Sequence, residues 1–159
     1  MTTYLNNEQV LELATKLHEG QVRRDGKPYI THPIAVSKMV SDIQNTYLPS
    51  AYVPFDVSGR LEQAALLHDV MEDCFFVDEK YLLDAGVDPI VVEYCKDLNK
   101  ENFPSYLSML RNLIKKRSPA IYVKLADMKH NLSENPGKAK DKYELAIALL
   151  ENALENMYN

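Results

Sequence analysis

The chain has 159 residues, 46% hydrophobic and 26% charged, with five glycines and a formal net charge of −5. That composition suits one folded domain over residues 1–159 with its own core, and excludes a disordered or fibrous chain. The acidic balance argues against a dedicated duplex nucleic-acid binder, which needs a basic footprint, but leaves room for a small anionic ligand held by local positive groups.

The opening MTTYLNNEQV lacks the basic-then-apolar pattern of a signal peptide. No apolar run approaches the roughly 18 residues of a membrane span, so a cytoplasmic protein is expected. A first helix is predicted from Asn6, which forms a capping-box pattern with Gln9, through Val10, Leu13, Ala14 and Leu17 to a stop at Gly20. RRDGKPY then reads as an ordered surface loop around an Asp-Gly turn. A second helix starts near Thr31 with Pro33 in its first turn, and its apolar face runs through Val36, Val40, Ile43 and Tyr47. LPSAYVPFDVSG breaks that helix and is the longest expected loop. A third helix is predicted from about Gly59 through LEQAALLHDVMED to Asp73. Asp78 caps a short fourth that ends by Gly86, and Asp88-Pro89 and Ser118-Pro119 start two more. Between those two, Tyr106, Leu110, Leu113 and Ile114 mark another helix. The run AIYVKLA has strand-like side chains, yet its capped start and the spacing of Ile121, Leu125, Met128 and Leu132 favour helix. Tyr143, Ile147, Leu150 and Leu154 give the last helix a buried stripe. The expected fold is all-α, a multi-helix domain of about eight helices without a strand.

The two cysteines, Cys74 and Cys95, form no CxxC pattern and read as reduced thiols. The polar residues of HDVMED are less ordinary. At about 100° per residue, His68, Asp69, Glu72 and Asp73 share one arc of a helix. Four ionisable groups after an apolar run either form a wet helix edge or hold something. His68 and Asp69 can offer an imidazole nitrogen and a carboxylate oxygen to a divalent ion if other elements complete the shell. Glu72 and Asp73, one turn on, lie within reach for acid–base work.

Two other segments can complete that shell. YITHPIAV places His32 at a helix start, and VKLADMKHNL places Asp127 between Leu125 and Met128, with Lys124 and Asn131 on nearly the same face. His130 is a further donor, ranked behind His32. Each also suits a plain role alone: His68 as a core histidine, Asp127 as a solvent-facing carboxylate or a partner of Lys124, RRDGK as a solvated basic turn, Asn131 as a cap. There is no Walker motif, Gly-rich dinucleotide loop, or Ser or Cys nucleophile in a triad arrangement.

HEGQVRRDGKPYITHPIAV, AALLHDVMED and VKLADMKHNL, in that order, resemble the metal phosphohydrolases of the HD superfamily. They are most similar to the stand-alone hydrolases of the alarmones guanosine tetra- and pentaphosphate. The resemblance implies His32, His68, Asp69 and Asp127 as ligands of a manganese ion, and Glu72 and Asp73 as the acidic pair associated with hydrolysis. Two imidazoles and two carboxylates suit Mn²⁺ and leave positions for water and a substrate oxygen, unlike the thiolate-rich closed sites of structural zinc. The resemblance further implies Arg23 stacking on guanine, Arg24 facing the nucleotide and Asn131 beside metal and substrate, a use suited to arginine's planar cation. Lys27 and Lys124 complete the candidate substrate-binding set, and Tyr29 is expected to pack the loop.

The expected reaction is removal of the 3′-pyrophosphate from guanosine tetra- or pentaphosphate by a hydrolase-only module. The rivals are hydrolysis of another nucleotide or phosphomonoester, and nucleotide binding without turnover. Ser133 stands where long alarmone enzymes commonly carry arginine, and Cys74 where the family commonly has threonine. The segment from Val40 to Gly59 is longer than the usual family connection. Its Tyr/Pro stretch is the first place to seek a homo-oligomer contact, and no membrane partner is expected.

Overall fold

Residues 3–48 and 57–157 are described by the computed structural model. The Tyr/Pro stretch read as a partner surface falls largely at 49–56, outside the described residues. Helix α1 (Asn7–Leu17) begins with the reciprocal bonds its sequence calls for: Asn6 Oδ1 accepts from the Gln9 N–H at 2.9 Å, and Gln9 Oε1 accepts from the Asn6 N–H at 3.0 Å. A short turn closed by a bridge between Val22 and Pro28 then delivers the chain to α2 (Thr31–Tyr47), whose first turn carries buried His32 and Pro33.

The helix expected to continue to Asp73 is two. Helix α3 (Val57–Leu67) ends before the histidine, and the single turn α4 (Val70–Asp73) follows from Asp69. Neighbouring side chains on one continuous helix diverge by about 100°. The interruption instead lets His68 Nε2 and Asp69 Oδ2 approach to 3.0 Å. His68 Nδ1 meets the Ala65 carbonyl at 2.6 Å, in the last turn of α3, where helices leave carbonyls for other donors.

Asp78 caps α5 (Glu79–Asp84) by accepting from the Tyr81 N–H at 2.8 Å. Asp88 caps α6 (Pro89–Leu98) by accepting from the Ile90 N–H at 2.8 Å, with Pro89 in the first turn. A 3₁₀ turn at Lys100–Asn102 leads to α7 (Tyr106–Lys116), capped by Ser105, and α7 stops at Arg117 in the left-handed conformation, φ 50°. Next come α8 (Ala120–Ser133), a second 3₁₀ turn at Gly137–Ala139, and α9 (Lys140–Met157). The described residues thus form nine α-helices and no sheet, all-α as expected, with the ninth arising from the break after Leu67.

Helix α8 occupies the centre. Every residue from Ala120 to Met128 is buried, and α2, α3, α6, α7 and α9 all pack on it. A helix apolar on all sides belongs inside, so its charged residues Lys124 and Asp127 need partners there. Both cysteines are free and buried, as expected of reduced thiols. No helix among the described residues is long and apolar enough to cross a membrane.

Buried Asp97 ties α6 to α7 and to the start of α8. It accepts from Lys116 Nζ at 2.8 and 2.9 Å, Ser118 Oγ at 3.1 Å and Asn112 Nδ2 at 3.3 Å. Asp97→Ala leaves the buried Ser118 hydroxyl and the Asn112 amide without this partner and should lower stability by about 2 kcal/mol. Urea unfolding tests this, and an unchanged midpoint would mean the cluster contributes nothing net.

Candidate active site

Three segments far apart in the chain bring four donors to one point. His32 Nε2, from the first turn of α2, lies 3.0 Å from Asp127 Oδ1 on α8 and 3.8 Å from Asp69 Oδ2. His68 Nε2 lies 3.0 Å from Asp69 Oδ2 and 3.5 Å from Asp127 Oδ1. The ligand atoms of His32, His68 and Asp69 all fall within 4.8 Å of one another. His68 Nε2 is fully buried and makes no hydrogen bond, although two carboxylate oxygens stand beside it. A nitrogen facing carboxylates without bonding to them fits a cation held between them, and the N₂O₂ donor set suits a hard or borderline divalent ion.

Neighbouring groups hold these donors in place. Tyr29 donates its hydroxyl to Asp69 Oδ2 at 2.6 Å. Lys124 Nζ donates to Asp127 Oδ2 at 2.8 Å, and Asn131 Nδ2 donates to Asp127 Oδ1 at 2.8 Å. His130 Nδ1 lies 2.7 Å from His32 Nδ1. Burial would raise the Asp127 carboxyl, but Lys124 and His68 hold it well below the usual carboxylate range. Burial acts likewise on Asp69, which the His68 charge lowers to about 2. Burial would push the His68 imidazole down, yet Asp69 and Asp127 raise it well above 6.5. The point where the donors meet therefore favours positive charge.

Above them opens a cleft of about 580 Å³ whose walls include Arg23, Arg24, Lys100, Lys124 and Lys142. The same walls carry Asp25, Asp69, Glu72, Asp127 and Glu134, so this cleft in a chain of net charge −5 is balanced in formal charge. The Arg23 guanidinium donates to Asn131 Oδ1 at 3.2 Å and sits 5.9 Å from the centre of the Tyr29 ring. Arg24 lines the cleft and is exposed. Lys27 does not line it: the Asp-Gly turn carries Lys27 outward, where its ammonium lies 3.4 Å from Asp25. The acidic pair is also divided. Glu72 borders the cleft, its Oε1 accepting from the Lys100 N–H at 2.8 Å, whereas Asp73 is exposed and outside the cleft wall. Burial raises the Glu72 carboxyl, and partial desolvation of the Asp73 carboxyl does the same, with the Asp69 charge adding to both.

Some participants escape a sequence reading. Tyr29, expected to pack the loop, also orients Asp69, and His130 faces His32. Lys100, Tyr106, Lys142 and Tyr143 join the cleft from the 3₁₀ turn, α7 and α9. Tyr106 and Tyr143 carry a signal only as members of apolar stripes, which does not distinguish a cleft wall from core. The Lys142 ammonium lies 4.3 Å from the Tyr106 ring centre.

No protein-family model matches the chain. It is 30% identical over 91% of its length to guanosine-3′,5′-bis(diphosphate) 3′-pyrophosphohydrolase of Haemophilus influenzae, spanning 23% of that protein. It is 31% identical over 82% of its length to the bifunctional (p)ppGpp synthase/hydrolase SpoT of Escherichia coli K12, and 28% identical over 86% to a GTP pyrophosphokinase of Streptomyces coelicolor. The chain spans 19% and 16% of those two proteins. The histidine–aspartate cluster on an all-α fold, together with these relatives, supports a phosphohydrolase of the HD-superfamily type. Within that type, the chain is similar to the (p)ppGpp-hydrolase-like members.

A proton on His68 Nε2 and a cation compete for the same place. The raised pKa means that protonated His68 stabilises the metal-free fold below about 6.5, and that this contribution is lost as pH rises through the folded value. Metal affinity runs oppositely, because binding must release that proton. The Mn²⁺-induced rise in melting temperature should therefore be larger at about pH 8 than at about pH 6. Thermal unfolding with and without Mn²⁺ checks this, and a larger rise at the lower pH would contradict it.

Proposed function

We propose that the chain is a manganese-dependent phosphohydrolase that removes the 3′-pyrophosphate of guanosine tetra- or pentaphosphate, releasing pyrophosphate with GDP or GTP. The observation that carries this reading is the meeting of His32, His68, Asp69 and Asp127 at the base of a cleft that also presents Arg23, Arg24, Lys100 and Lys142. The substrate class is supported by the names of the Haemophilus influenzae and Escherichia coli relatives. A divalent cation on those four residues supplies Lewis acidity toward a phosphoryl oxygen and lowers the pKa of water.

The chain's own groups supply the remaining functions. Glu72, half-buried with a raised carboxyl pKa, takes the proton of the attacking water, and the Lys100 N–H fixes its carboxylate. Asp73, beyond the cleft wall, acts through its charge beside Tyr29. Arg23 covers the guanine base, its guanidinium steadied by Asn131 and Tyr29. Arg24, Lys100, Lys124 and Lys142 offset the phosphate charge. Lys27 falls outside this assignment.

The test is product analysis of the Mn²⁺-loaded protein with ppGpp, pppGpp, NADPH and a nucleotide panel. Pyrophosphate and GDP from ppGpp are expected. Inorganic phosphate from another nucleotide would move the chain to a different substrate within the superfamily, and binding without product would make it a nucleotide-binding protein. Asp69→Ala should reduce turnover by more than about 100-fold, beyond the cost of losing an outer-shell partner. Arg23→Ala should raise KM for guanine nucleotides by about tenfold, on the scale of one base-stacking contact. An unchanged base preference in that variant would remove the stacking role.

A further inference from the structure

His32 and His130 meet through ring nitrogens. Their Nδ1 atoms lie 2.7 Å apart, and the ring centres are 4.9 Å apart with planes tilted by 34°. In such a contact one nitrogen must donate a proton and the other accept it. The other nitrogen of His32, Nε2, is hydrogen-bonded to Asp127 Oδ1 at 3.0 Å and faces Asp69 Oδ2 at 3.8 Å, and a cation held there would take the place of the proton in that bond. To present a lone pair to that cation, His32 must keep its proton on Nδ1 and donate it to His130.

That requirement propagates. His130 must accept at Nδ1 and hold its own proton on Nε2, which lies 3.5 Å from Glu134 Oε1. His68 meets the same need differently, through the Ala65 carbonyl. A carbonyl can only accept, so it enforces one direction, whereas an imidazole can donate or accept and needs a further group to bias it. Asp127, His130 and Glu134 all belong to the α8 segment or its cap, so a single element carries a donor of the centre, the residue facing His32, and the carboxylate behind that residue.

We infer that His130 is a positioning residue that fixes which nitrogen of His32 faces the metal centre, and that Glu134 fixes the direction of that hydrogen bond. This rests on the metal centre of the proposed function, and metal binding itself reports on it without turnover. Calorimetric titration with Mn²⁺ should show His130→Leu binding about 10–100-fold more weakly than wild type. His130→Asn, whose amide oxygen accepts near the place of Nδ1, should remain within about threefold of wild type. Glu134 is exposed, so Glu134→Ala puts the fold at little risk, and it should weaken Mn²⁺ binding by about threefold or more.

Unaltered binding in His130→Leu, or equally weak binding in the Leu and Asn variants, would overturn the role of His130 while leaving the metal centre standing. Unaltered binding in Glu134→Ala would overturn the role of Glu134. A wild-type protein that does not bind Mn²⁺ would overturn both this inference and the proposed function.

Discussion

A carboxylate buried inside a helical core must be matched on every side, and Asp127 is where that demand organises the molecule. It sits on the most enclosed helix, 3% exposed, with Lys124 on one oxygen and Asn131 and His32 on the other. Removing one partner of such a pair typically costs about 3–5 kcal/mol, because a charge is left buried and unmatched. Helix α2 must therefore cross α8 so that its first turn, and with it His32, reaches this one place. Stability and the candidate chemistry share the same requirement.

Two irregularities bring the other groups in. The interruption between α3 and α4 lets adjacent residues point to one spot, which an unbroken helix forbids. The turn closed between Val22 and Pro28 lays Arg23 and Tyr29 against the same site, one toward Asn131 and the other toward Asp69. Both devices belong to the loop-like stretches that join rigid helices, where functional side chains commonly concentrate.

Centre and rim carry different information. Two imidazoles and two carboxylates select a kind of ion and hence a kind of reaction. The rim of arginines, lysines and tyrosines decides which anion is held. It is drawn from elements that share no local motif: the first loop, the 3₁₀ turn after α6, α7 and α9.

Helices with a strong cap or stripe were legible in the sequence. Asn6 with Gln9, Asp78, and Asp88 with Pro89 mark helix starts through bonds made within a few residues. The break at His68–Asp69 was not, since the apolar pattern runs on at helical spacing through both sides of it. The unequal settings of Glu72 and Asp73, the outward turn of Lys27, and the contacts of Tyr29 and His130 depend on groups from other helices. No local pattern encodes them. By itself, then, the sequence determined the all-α character, most helix starts and the inventory of donors, because these follow from interactions between near neighbours in the chain. That His32 touches Asp127 across 95 residues was decided only by the packing of α2 on α8, where burying apolar faces and matching a buried charge must be satisfied together.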